Sequence, residues 1–262
     1  MSNEQGVGTE MQQHSYADSV TQQRDDIPKI YGAVDFALVP ERLDSEATLD
    51  DDRFAASRDA VSRVFDRPEL LETMRNATMT GDRIADAYAA LIPTHGFRTL
   101  IEMLEAACQR GVESVENAPQ ELVDLIAAME ATPAWVDMKL VAEGARAERI
   151  PMATATPLAI RGAFLATFLN KYAALPMTMT GTLSDEAAAK RVFETASFFT
   201  ATTMPGALDR SGKGFEAAAK VRIMHSMVRY HILNSGKWDV ATYGIPIPQA
   251  DQMPAGLIGV FL

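Results

Sequence analysis

Arg222, His225 and Arg229 lie in one run without glycine or proline, Val221 to His231. At about 100° per residue the three side chains fall within about 60° of one another on a single helix face. One imidazole is thus flanked, a turn before and a turn after, by two permanent cations. An imidazole can ligate a metal through one nitrogen, and guanidinium forks match carboxylate pairs. A haem presents both partners, an iron at its centre and two propionates at its edge. The alternative is a hydrogen-bonded core histidine with arginines that are solvated or paired to acids, and spacing alone leaves both open. His231 lies about 180° from Arg222 and is given no role.

Something must hold that helix in place, and the chain has ample material for it. Its 262 residues suffice for one large core, and 47% hydrophobic with 23% charged residues is ordinary for a globular protein. A formal net charge of -11 argues against nucleic acid and against an anionic membrane surface. The single cysteine, Cys108, excludes an internal disulfide and reads as a small buried hydrophobe. With four histidines, a multi-histidine metal site would need His14, His95 and His231 to converge on His225, which the spacing does not favour. No phosphate-binding loop, dinucleotide fingerprint or nucleophile elbow is present.

Periodicity is helical nearly throughout, so an all-α fold is expected, globin-like or layered rather than a simple four-helix bundle. Residues 1–28 are polar and read as a flexible arm, and 29–262 as one helical domain. Thr80-Gly81-Asp82 starts a helix that Pro93 should stop, and Phe97 to Gln109 should end at Gly111. Pro119 opens Glu121 to Met129. Ser184 should cap a helix that carries Arg191 and Thr195 to about Thr203, and the His225 helix should end near Asn234-Ser235-Gly236. The apolar stretch Pro151 to Leu169 is interrupted by Arg161 and reads as a buried helix, so no stable membrane insertion is expected. With no readable signal peptide, the expected location is cytoplasmic. The closing run Ala255 to Leu262 is apolar, and either docks on the core or leads into a further element.

Five short pieces, in order, carry a resemblance: Gly81-Asp82 through Ala87, Pro133-Ala134-Trp135-Val136-Asp137, Thr180-Gly181-x-Leu183, Arg191-x-x-x-Thr195, and the Arg222–His225–Arg229 helix followed by Trp238 and Gly244-Ile245-Pro246-Ile247-Pro248-Gln249. Over residues 75–252 the chain resembles the catalytic domain of rubber oxygenases (latex-clearing proteins) and MpaB-type oxygenases. That resemblance implies a haem b oxygenase acting with dioxygen on an apolar small molecule, an isoprenoid or lipid alkene being one candidate. It implies His225 as the proximal iron ligand, Arg222 and Arg229 as supports of the haem and its propionates, and Arg191 and Thr195 as lining of the distal pocket. Rubber-cleaving members have a lysine just before the distal threonine, where this chain has Glu194, and an upstream acid that the stretch Leu175-Pro176-Met177 lacks. Glu194 is therefore read either as a substitute acid/base or as a surface partner of Arg191 or Lys190. A second class also fits: a non-catalytic helical binding or interaction protein that keeps the fold without a complete haem site.

Overall fold

The computed structural model describes residues 20–41, 50, 52–147, 149–150, 171–181 and 185–247. Helices fall where the chain carries its start and stop signals: α1 (Arg58–Phe65), α2 (Pro68–Thr78), α3 (Arg83–Ala89), α4 (Phe97–Arg110), α5 (Gln120–Glu130), α6 (Lys171–Met179), α7 (Asp185–Thr203) and α8 (Lys213–Asn234). No strand occurs among the described residues, so the fold is all-α. Gly111 closes α4 at φ 93°, a conformation that an L side chain avoids, and a Cβ there would strike the Glu113 carboxylate. Pro93 does not act as the expected stop. It sits in the first turn of a short helix, Ile92–His95, where the missing N–H forfeits no helical bond. Ser184 and the stretch Pro151 to Leu169 lie outside the described residues, as does the closing run 255–262.

The described residues form two compact units, one drawn from 20–82 and 231–247, the other from 83–230. In the first lie residues 20–28, which composition assigned to the polar N-terminal stretch. Residues 20–26 are helical, and Val20, Gln23 and Ile27 are buried with Ile30 and Tyr31. Gln23 is completely buried, a position that a glutamine holds only with its amide satisfied. Its Nε2 donates to the carbonyls of Val20 (2.9 Å) and Met79 (3.1 Å), and its Oε1 accepts from Gly81 N at 2.8 Å. This side chain clamps the N-terminal helix to the Gly81-Asp82 turn. Polar residues around Gln23 hid this in the composition.

The same unit contains the Gly-x-Pro turn. Asp239 caps the short helix Val240–Tyr243, accepting from the amides of Ala241 and Thr242. Those bonds, led by the Thr242 hydroxyl, hold the Asp239 carboxyl below the usual carboxylate range. Trp238 Nε1 donates to Gly244 O at 2.7 Å, and its ring lies 5.3 Å from that of Tyr243. Gly244 has φ 72°, and a Cβ would stand 2.4 Å from Thr78 Cγ2. Backbone conformation and close approach both require glycine there.

In the second unit α3 packs on α5, and α4 on α5. Ala85, Tyr88, Ala89, Leu100, Leu104, Leu122 and Leu125 are fully buried between them. Tyr88 Oη donates to Leu100 O at 2.8 Å, so the one polar atom of that ring is satisfied inside the core. Cys108 is buried and free, and burial pushes its thiol up to about 11, as suits an inert small hydrophobe. Arg210 closes this corner: it donates to the carbonyls of Ala107 and Cys108 at 3.0 Å each, pairs with Glu130, and lies 5.0 Å over the Phe215 ring.

Replacing Gly244 with alanine combines the positive φ with the Thr78 contact. Chemical denaturation should show a loss of about 1–3 kcal/mol, and a variant as stable as the parent would contradict this account of the turn.

Candidate functional site

Helix α8 forms for local reasons: an alanine run at 217–219, no internal proline, and an acid in its first turn. That acid, Glu216, is a hub. It pairs with Lys220 one turn on (2.7 Å) and with Lys213 (3.2 Å), and accepts from Gln109 Nε2 at 3.3 Å. Lys220 in turn reaches Glu105 of α4 at 2.8 Å. Hydrogen bonding by Lys220, then by Lys213 and Gln109, outweighs desolvation and lowers the Glu216 pKa.

The buried stripe of α8 runs through Phe215, Ala219, Ile223, Ser226 and Met227. Arg222 and His225 are half-buried at its margin, while Arg229, a turn further on, is 1% exposed. Of the three residues on this face, only Arg229 is fully withdrawn from water. His231 is exposed, in keeping with having no role.

Arg229 meets the Asp86 carboxylate of α3, which is fully buried; its Nη1 also lies 3.5 Å from Ser226 Oγ. Two opposite charges withdrawn from water are held only while they face each other. Sequence reasoning assigned Arg229 to a propionate and gave Asp86 no role. The signal was available, since Asp86 is an acid among the apolar residues Ala85, Tyr88 and Ala89 and closes the Gly-Asp-x-x-Ala-Asp segment.

Helix α7 holds the other candidates. Arg191 lies within it, its side chain outside the described residues, and Thr195 is half-buried one turn on. Glu194 is on the solvent side, 52% exposed and 3.6 Å from Lys190. The ion pair with Lys190 is the surface contact that one of its two readings describes. Trp135 of the Pro133–Asp137 piece is 85% exposed on the turn after Pro133.

Chemically, the margin of α8 offers one imidazole with a guanidinium a turn before it. Among the described residues no three His, Cys, Asp or Glu side chains converge as a closed protein-only metal site would require. A haem would take a nitrogen donor for its iron and a cation for its anionic edge, and on α8 the residue types that could serve are His225 and Arg222. Arg229 has its charge neutralised by Asp86.

Residues 148–260 match the family described as ER-bound oxygenase mpaB/B'/Rubber oxygenase, catalytic domain. The matched span includes α7 and α8, and supports the family resemblance carried by Arg191-x-x-x-Thr195 and by the His225 helix. It begins after the Gly81-Asp82 and Pro133–Asp137 pieces. No curated protein and no solved structure matches the chain. Among the described residues no helix is long and apolar enough to cross a membrane.

Two outcomes follow for the charged groups. Glu216 has a folded-state pKa below its ordinary 4.5, so its stabilising contribution is complete above that pH and disappears as pH falls through the lowered value. Glu216→Gln should flatten the acid side of a stability–pH curve measured by urea unfolding, and an unchanged acid side would remove Glu216 from the account. Glu194→Gln should alter stability by less than about 0.5 kcal/mol, as for an exposed i,i+4 pair.

Proposed function

We propose that this chain is a haem-dependent oxygenase that uses dioxygen to oxidise an apolar small molecule, an isoprenoid or lipid alkene being the class in view. The observation that carries the reading is the oxygenase-domain match falling on the helix that keeps His225 half-buried at the edge of a buried stripe. A haem b bound here would supply the activation of dioxygen. The protein's part is position, polarity and access.

His225, as a neutral imidazole, would hold the iron through one ring nitrogen. Arg222, one turn before it, supplies the cation for a propionate. Thr195 and Arg191 of α7 are assigned to the reacting side of the site, where a hydroxyl and a guanidinium would stabilise developing negative charge. Glu194, exposed and paired with Lys190, is left outside this set.

The test is a titration of the folded protein with haem, followed by absorption spectroscopy, for wild type, His225→Ala and Arg222→Ala. Wild type should give an intense Soret band that His225→Ala loses or displaces. Arg222→Ala should keep the band but bind about ten-fold more weakly, the scale of one charge-assisted hydrogen bond. Oxygen uptake with a lipid alkene by the loaded protein should then depend on Thr195. A helical wild type that gives no Soret band would overturn the proposal in favour of a non-catalytic binding protein.

A further inference from the structure

The Gly81–Asp86 segment precedes the matched oxygenase span, and nothing in the proposed chemistry uses it. We infer that Asp86 is a positioning residue for the His225 helix, and that Arg229 serves as its buried partner rather than as a propionate ligand. The inference deepens the haem reading and rests on it for the meaning of His225, but not for the pairing itself.

The geometry gives Asp86 a fixed location. Helix α3 is set in the core by Ala85, Tyr88 and Ala89, all fully buried, with Tyr88 anchored to Leu100 O at 2.8 Å. Asp86 projects from that post without exposure and receives Arg229 of α8. His225 is four residues before Arg229, about 6 Å along the helix axis. Any slide of α8 by a fraction of a turn, or a rotation that moves the Arg229 face, separates two charges with no water to replace the contact. The pair therefore selects one axial position and one rotation of α8, and with them the placement of the imidazole at the edge of the buried stripe. An apolar contact would tolerate a range of offsets; an ion pair closed off from solvent does not.

A guanidinium neutralised in this way also contributes little net charge toward an anion.

The experiment is a double-mutant cycle on the full chain with Asp86→Leu, Arg229→Met and the double variant, each read three ways. Urea unfolding of the haem-free protein should show each single variant losing on the order of 100-fold or more in its folding equilibrium constant, with the double variant regaining most of it. Hydrogen exchange on the haem-free protein should show faster exchange over 222–229 in Asp86→Asn, a milder variant, while α4 keeps its protection. A merely structural role would loosen both regions together. Haem titration should then show the double variant binding more tightly than Arg229→Met.

Additive losses in the cycle, or uniform loosening of α4 and α8, would overturn the positioning role. A double variant that is well folded yet binds haem as weakly as Arg229→Met would show that Arg229 holds the propionate directly, and would overturn its assignment as a partner only. If wild type binds no haem, the oxygenase reading falls, while the unfolding cycle and the exchange pattern still decide whether Asp86 sets the position of α8.

Discussion

Two charges with no access to water, Asp86 on α3 and Arg229 on α8, impose the strictest constraint in the 83–230 unit. Hydrophobic contacts favour proximity but tolerate sliding, because burial is nearly as good at one offset as at the next. A buried carboxylate and guanidinium are different: separated, each would be left with a desolvation cost of several kcal/mol. By the inference above, their meeting sets the position of α8 relative to α3. Arg229 is buried at one end of the face that carries the half-buried Arg222 and His225.

Around this pair the remaining polar groups hold elements that apolar packing brings near. Tyr88 fastens α3 to α4, Lys220 links α8 to α4 through Glu105, and Arg210 covers the last carbonyls of α4 while reaching Glu130. The burial of these links is graded. Asp86 and Arg229 are excluded from solvent, Glu216 is largely covered, and Lys213 and Lys190 are exposed. The cost of removing one partner should follow that order, since the charge left behind is least solvated where burial is greatest. In the other unit the same principle appears in neutral form, with Gln23 satisfying both ends of its amide between the 20–26 helix and the Met79–Gly81 turn.

The proposed chemistry needs few side chains because a bound cofactor would carry the oxidation. One nitrogen ligand, one cation and a polar group on the far side suffice for the protein's share. Such a site has little sequence signature apart from spacing. The match over 148–260 therefore gives the triad's geometry a context that spacing alone did not.

Much of this was legible in the chain. The all-α class, the end of α4 at Gly111, the extent of α7 to Thr203, the end of α8 near Asn234 and the burial of Cys108 all follow from local signals: periodicity, glycine at a positive φ, and apolar spacing. Those properties are encoded within a few residues, so neighbours in sequence determine them. What the sequence could not decide were the partners. Arg229 lies 143 residues from Asp86, and Gln23 lies 58 from Gly81. Nothing local distinguishes an arginine bound for a buried carboxylate from one facing a ligand, nor a glutamine in a polar segment from one clamped in a core. Glu194 likewise had two readings until its exposure was known. Helix formation is local and was written in the sequence. The pairing of buried polar groups depends on which distant residue arrives opposite, and only the tertiary structure decided it.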